Sequence, residues 1–479
     1  MAKEQVGLTV KKGENFSEWY TQVIQKGDFA DYTSVSGAIV FRPNSYLIWE
    51  KIQHAVDERL KRMGVKNAYF PLFIPEKLLK LEQSHVAGFT PEVAWVTEAG
   101  ETKLAERFAV RPTSETIMYE SYAKWIRSWR DLPLRLNQWN NVVRWEFKHP
   151  VPFLRTREFL WNEGHTAFAT KDEAMREVED VLKMYEAVLK DYLALPGVLG
   201  KKSRKETFAG AEYTTTIELY LPNGRGIQGP DSHHLGQNFS KAFGITFIDK
   251  DEKEKHVWQN SWAITTRMIG VLLAIHGDDK GAVLPPALAP IQVVIIPIIF
   301  DKTKKPVLAA AKKIVEQMEG MAVVLDDRDE YSAGWKFNEW ELRGVPLRIE
   351  IGPKDLEKKQ ALLVRRDTGE KIPVKMAQLK KKVPLVLDTI QADLYLKAKR
   401  MLKQGTAEAF SMEEVVQAIE GQKIVRAPWC ESQDCEGAIK DKTAGAKILN
   451  VPFDQPKSLG KCVHCGKPGK ASALFGKSY

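Results

Sequence analysis

The sequence predicts an α+β domain built on an antiparallel sheet with helices over residues 1–285, an α/β domain over 291–375, and a small cysteine-bearing α/β module over 376–479. Three observations lead there. Strand-like runs with hairpin signals fill the first part, and strand and helix patterns alternate after the proline-rich run PPALAP, with 286–290 as linker. All four cysteines fall in the last fifty residues. A chain of 479 residues exceeds what one core can serve, so several domains are expected.

In the first domain, Leu47, Ile48, Ile52, Val56, Leu60 and Met63 recur at helical spacing. They predict a helix over 44–63, with Asn44 as its cap and Gly64 as its stop. NAYFPLFIP follows and reads as an edge strand, broken by Pro71 and Pro75. LRLNQWNNVVRWEF (134–147) and TREFLWNEGHTAFA (156–169) read as two more strands, joined by KHPVPFLR, a stretch too polar and proline-rich to pack as core. Next come a helix over 171–194 and a hairpin in TTTIELYLPNGRGIQG that turns at Asn223-Gly224. VWQNSWAITTRMIGVLLAIHG is a strand running into a buried helix that stops at Gly277.

Past the linker, QVVIIPI, a helix over 303–319, AVVLDD, a helix near 333–343 and VPLRIEIG read as β-α-β-α-β, hence a largely parallel sheet. A helical connection then leads to Cys430, Cys435, Cys462 and Cys465, spaced C-x4-C, 26 residues, C-x2-C. Four thiolates from two knuckles can close a tetrahedral structural Zn2+ site with no open position; four free cysteines are the alternative.

Charge narrows the partners. The chain carries 71 basic against 62 acidic residues, a net +9 that suits a polyanion. Residues 353–403 hold 14 Lys or Arg against 6 Asp or Glu, either a solvated face or a phosphate-contacting one. No apolar run approaches the ~20 residues of a membrane span. The opening MAKEQVGLTVKKGENFSEWY lacks the apolar core of a secretion signal, so a cytoplasmic enzyme without a membrane partner is expected.

The most informative stretch is NVVRWEFKHPVPFLRTREF. On a continuous strand Arg144 and Glu146 face one side, and Arg155 returns from a loop. Guanidinium forks match phosphate oxygens and keep their charge where water is excluded. A surface ion pair in a hairpin is the bland alternative. In RPTSE (111–115), Thr113 and Glu115 offer a hydroxyl and a carboxylate on one loop, or else a helix capping box.

Taken in order, these runs resemble the three motifs of class II aminoacyl-tRNA synthetases, over about 225 residues. The 44–63 helix with NAYFPLF resembles motif 1, which builds a homodimer interface. The Arg144–Arg155 run resembles motif 2, and Arg267 in SWAITTRMIG resembles the motif 3 arginine. RPTSE resembles the loop of prolyl-tRNA synthetases in which threonine and glutamate hold the imino nitrogen. The resemblance implies a class II catalytic domain in which Arg144, Glu146, Arg155 and Arg267 are catalytic. It implies L-proline contacts from Thr113, Glu115, Arg144, Trp161, Glu163, His165, Phe208, His233 and Ser261. For ATP, with Mg2+, it implies Arg144, Glu146, Arg155, Gln228, Asp231, Thr265 and Arg267. The chain departs from the family at Asp231 and Ala263, where threonine and glycine are usual.

GWKFNEWELRGVPLRIEIGPKDL resembles the anticodon-binding domain of the prolyl, threonyl, histidyl and glycyl enzymes. It carries Glu341, Arg348 and Lys354 over as tRNA(Pro) anticodon contacts. The archaeal-like prolyl enzymes carry a cysteine module after this domain and a terminal tyrosine turned towards the active site, here Tyr479. About 110 residues separate Arg155 from Arg267, too few for an inserted editing domain. A class II synthetase of threonyl, glycyl or histidyl specificity is one alternative; a tRNA-binding paralogue without aminoacylation is another.

Overall fold

In the computed structural model, residues 7–85, 92–146 and 149–479 are described. Among them an eleven-stranded sheet runs through the molecule. Its central strands are Val198–Lys201, Tyr213–Tyr220, Gly226–Gly236, Trp258–Thr265, Glu158–Phe168 and Leu134–Val143, antiparallel to one another in that order. The short strand Lys66–Asn67 closes one edge in parallel with Leu134–Val143. It takes up only the start of the NAYFPLFIP run; the rest yields Phe73–Pro75 in a separate three-stranded sheet, because the proline between them cannot donate to a ladder.

Helices Pro43–Arg62, Lys171–Asp191 and Arg267–His276 cover one face of the sheet, and Trp49, Ile52, Val56, Val181, Tyr185 and Leu272 share a core there. Gly277 ends the last of these helices, as expected. The start of the first differs from expectation. Arg42 is its cap residue, without a side-chain bond, and Pro43 opens the first turn, where a missing N–H costs nothing. Asn44 donates to the Gly27 carbonyl instead.

Two corrections concern the loop after Val143. The strand ends there, so Arg144 and Glu146 do not share a pleat, and Glu146 lies exposed in a turn. Residue 147, the expected end of that strand, lies outside the described residues. The returning loop is also not core-free. Phe153 and Leu154 are 2% and 1% exposed and join the main core, Phe153 with a left-handed φ of 59°.

The second domain's sheet is mixed. Val323–Leu325, Val293–Pro297 and Leu347–Ile351 are parallel, and Gln360–Arg365 and Lys371–Lys375 extend the sheet antiparallel as a hairpin. Leu379, Val383, Leu387 and Ile390 of the long helix Leu379–Gln404 pack into this domain's core. The cysteine module is no separate appendage: its strand Lys447–Pro452 pairs with Val198–Lys201, Val451 opposite Lys201, and so continues the eleven-stranded sheet.

Candidate active site

The face of the central sheet opposite the helices carries a cavity of about 250 Å³. Alternation along the strands sets its floor. Trp161, Glu163 and His165 project from Glu158–Phe168, Asp231 and His233 from Gly226–Gly236, and Ser261, Ala263 and Thr265 from Trp258–Thr265. Cross-strand register aligns them: Ser261 lies opposite both His165 and His233, and Ala263 opposite both Glu163 and Asp231. Thr113, Glu115, Arg144, Phe208, Gln228 and Arg267 complete the expected residues around it.

One end is a buried polar network. RPTSE turns from a strand into the helix Glu115–Trp125, with Ser114 in the cap position. No capping box forms. The Thr113 hydroxyl donates to the Glu115 carboxylate, and the Ser114 hydroxyl and N–H both donate to Glu163, the latter at 3.0 Å. Glu163 also accepts from Asn140 Nδ2 at 2.7 Å and Gln138 Nε2 at 3.2 Å, and lies 3.2 Å from His165 Nε2. Burial alone would raise the Glu163 pKa, but His165, Ser114 and Asn140 hold it below the usual carboxylate value. Burial opposes a proton on His165; the charge of Glu115 and the bond to Glu163 override it and raise its pKa. Tyr119 Oη, 3.2 Å from His165 Nδ1, fixes the ring from behind.

Arg111 locks the same loop: its guanidinium donates to the Asn141 carbonyl at 2.8 Å and the Phe70 carbonyl at 2.9 Å. Phe208 stacks on His233, centroids 4.7 Å apart, and Thr214 Oγ1 lies 2.9 Å from His233 Nδ1. The Ser261 hydroxyl is buried in the wall with no hydrogen-bond partner, a group for a ligand to satisfy.

The other end is cationic. Arg144 donates to the Pro112 carbonyl at 3.0 Å, its guanidinium over the rings of Phe159 and Trp161. Arg267 opens the helix Arg267–His276 and donates to the Leu154 carbonyl at 3.1 Å and the Gln228 carbonyl at 3.2 Å. Burial and the charge of Arg144 lower its pKa, as expected of a cation held without a full counter-charge. Asp231 takes a 2.7 Å bond from Gln228, and its Oδ1 lies 3.3 Å from His233 Nε2. Burial would raise the Asp231 pKa; His233, Gln228 and Arg144 lower it. Glu146 and Arg155 do not line the cavity: both are exposed on the loop above it.

Sequence reasoning missed Glu206, Phe153, Leu154, Thr156, Phe159 and Thr214 in the lining. It also missed Gly164, where a Cβ would lie 2.1 Å from the Trp262 ring, so only glycine lets that indole cross the strand. Strand alternation from Trp161 pointed to Phe159; nothing local pointed to Glu206.

Of the residues expected to read an anticodon, Glu341 and Arg348 meet at 3.1 Å, Arg348 also reaching Glu350 at 2.9 Å. Lys354 is exposed on the short helix Pro353–Glu357. Tyr479 donates its N–H to the Gly226 carbonyl, two residues before Gln228, and its hydroxyl accepts from Asn223. The four cysteine sulfurs lie within 4.8 Å of one another, with Cys430 3.5 Å from Cys435 and 3.7 Å from Cys465. A tetrahedral ion with bonds of ~2.3 Å separates its sulfurs by about 3.8 Å, so the donor set fits such a metal.

Three family models match the chain: the tRNA synthetase class II core domain (G, H, P, S and T) over residues 96–276, the anticodon binding domain over 292–384, and prolyl-tRNA synthetase, C-terminal, over 412–479. The cytoplasmic proline--tRNA ligase of Arabidopsis thaliana is 48% identical, covering 99% of this chain and 91% of that protein. Proline--tRNA ligase 2 of Bacillus cereus is 46% identical, with both chains covered in full. The bifunctional glutamate/proline--tRNA ligase of Drosophila melanogaster is 48% identical over 99% of this chain, which spans 29% of that longer protein.

Proposed function

The chain belongs to the prolyl-tRNA synthetase family, and from that premise we propose that its cavity activates L-proline with ATP and transfers it to the 3′ end of tRNA(Pro). The observation that carries this reading is the buried constellation of Thr113, Glu115, Glu163 and His165. Glu115 and Glu163 present two acidic side chains around His165, and the secondary ammonium of proline brings a positive charge to them. Thr113 and Glu115 accept its two N–H groups, and Phe208, His233 and Trp161 wall the pyrrolidine ring.

The reaction needs no side-chain base, because the attacking carboxylate is already ionised. Arg144 bridges that carboxylate and the α-phosphate, and a proline oxygen attacks the α-phosphorus in line as pyrophosphate leaves. Arg267, with Arg155 and Glu146 from the loop above, holds the nucleotide, while Gln228 and Thr265 complete its seat. For Mg2+, Asp231 is a carboxylate in the cavity lining, a hard donor whose Oδ1 lies 3.3 Å from His233 Nε2. When bound with ATP, the ion spreads phosphate charge. In the second step the tRNA terminal hydroxyl attacks the prolyl carbonyl and AMP leaves.

The same reading assigns anticodon contact to Glu341, Arg348 and Lys354, with the basic 353–403 stretch on tRNA phosphates. It assigns a structural Zn2+ to the four cysteines. It places a homodimer interface on the helix Pro43–Arg62 and the run after it, where Tyr46, Leu47, Tyr69 and Phe73 are exposed apolar groups. It also locates the protein in the cytoplasm; among the described residues no helix is long and apolar enough to cross a membrane.

ATP–pyrophosphate exchange measured with each of the twenty amino acids tests the assignment. Exchange is expected with proline, and Glu115→Ala is expected to lower kcat/KM for proline roughly 10- to 100-fold, the worth of a charged hydrogen bond. Equal exchange with threonine or glycine would overturn it.

A further inference from the structure

The wall of the cavity at Glu206 and Phe208 belongs to a loop between the strands Val198–Lys201 and Tyr213–Tyr220. A loop that closes on a ligand needs a support on its far side. Here the support comes from the cysteine module, more than 230 residues away in sequence. Lys447 Nζ bonds Glu206 Oε2 at 2.5 Å, the Ser203 hydroxyl donates to Glu436 Oε1 at 2.9 Å, and Lys202 Nζ donates to the Leu449 carbonyl at 2.8 Å. Glu436 is buried and directly follows Cys435 on the helix Gln433–Lys442, so one cysteine knuckle and one loop anchor share a helical turn. Within the loop, Ser203 accepts from the Glu206 N–H at 3.3 Å and from the Thr207 hydroxyl through its carbonyl at 2.9 Å. The anchor at Ser203 is therefore one bond from Glu206 and continuous with Phe208.

From this arrangement we infer that the cysteine module sets the amino-acid affinity of the cavity, with Lys447 and Glu436 as positioning residues that hold the 202–208 loop. Neither touches the cavity; Lys447 acts through Glu206, and Glu436 through Ser203. Without them Phe208 keeps its stacking on His233 and its N–H bond to Thr214 Oγ1, but the 202–206 part of the loop loses the contacts that hold Glu206 over the ligand and steady the approach to Phe208. The cost then falls on binding of the small substrate rather than on the phosphate end, whose arginines hang on Pro112, Leu154 and Gln228.

The inference rests on the cavity being an amino-acid site, so its test has one arm that needs no substrate. Lys447→Met, Lys447→Arg and the wild type are compared in the full chain by hydrogen–deuterium exchange and by proline-dependent ATP–pyrophosphate exchange. Amide exchange across 202–208 is expected to quicken in Lys447→Met and to return in Lys447→Arg. In parallel, KM for proline is expected to rise about three- to five-fold, as suits a half-exposed ion pair, with KM for ATP and kcat within two-fold. Unchanged loop protection in Lys447→Met overturns the inference, as does a loosened loop with an unaltered KM for proline. Activation of an amino acid other than proline by the wild type would displace the substrate reading alone, leaving the loop protection to decide this one with that amino acid.

Discussion

The two ends of the cavity are built on different physical terms. At the amino-acid end, Glu115, Glu163 and His165 are each almost fully buried and bonded to groups that are themselves fixed: Ser114 on a helix start, Asn140 and Gln138 on a strand, Tyr119 on a helix. At the cationic end, the hydrogen bonds of Arg144 and Arg267 go to backbone carbonyls, with Arg144 also over the rings of Phe159 and Trp161, and Glu146 and Arg155 stand exposed on a loop. Under the proposed function the contrast separates discrimination from charge handling. A small substrate without much surface is recognised by groups that cannot move, whereas a triphosphate brings enough charge to organise a loop around itself.

The largest effect that would break this comparison is in the rigid end. Glu163→Ala strips the acceptor from Ser114, Asn140 and Gln138 and leaves His165 without its nearest counter-charge. Loss of one partner in a buried charged network costs roughly 3–5 kcal/mol, so a lowered unfolding midpoint is expected together with loss of proline-dependent exchange. A variant as stable as the wild type would show that the network is loosely held and that the two ends do not differ.

Much of this was legible because the informative residues are close in sequence. Helical spacing found the helix Pro43–Arg62, the apolar run before Gly277 marked a buried helix that stops there, the Asn223-Gly224 turn found its hairpin, and RPTSE and FLWNEGHTAF each delivered neighbouring side chains to one site. What stayed hidden depends on long-range pairing. Glu163 reads as a pocket residue, but its partners Gln138 and Asn140 come from the neighbouring strand, where nothing local marks them. Phe153 and Leu154 are core residues inside a proline-rich loop, reachable only because Phe153 takes a left-handed backbone. The join between the cysteine module and the catalytic sheet is an edge pairing at Val451 and Lys201, which no composition signals.

A second, smaller effect separates two buried histidines. His165, between carboxylates, has a raised pKa; the stability it contributes is full below its unfolded value and fades as pH rises through its folded one. His276 ends the helix that Arg267 begins. Burial, with Lys12 and Lys397 nearby, lowers its pKa from 6.5 to about 4, although its Nε2 lies 2.9 Å from the Leu193 carbonyl. There the unfolded chain takes the proton first, so stability is full above pH 6.5 and falls by about 3 kcal/mol as the pH drops to 4. Denaturant unfolding from pH 7 to 4 is expected to show this slope in the wild type and a flatter one in His276→Asn. Equal slopes would mean that the proton enters elsewhere.

The smallest effect sharpens the comparison from the phosphate side. Arg155 is exposed, and its charge lies close enough to depress the Arg267 pKa. Arg155 lies outside the buried core, so Arg155→Ala is expected to lower the unfolding midpoint less than Glu163→Ala does. Its contribution to ATP binding arises once a phosphate stands between the two guanidinium groups and turns their repulsion into shared attraction. A single charged hydrogen bond at the wet edge of a site is worth about 1.5 kcal/mol, roughly ten-fold in an equilibrium constant. The expected result is therefore a roughly ten-fold rise in KM for ATP, with KM for proline constant, measured by pyrophosphate exchange. Raised salt should weaken ATP binding less in the variant than in the wild type, because an exposed charge is screened and a buried one is not. A change in KM for proline as large as that for ATP would show that loop and network form one unit, and the division between a rigid end and a ligand-organised end would fall.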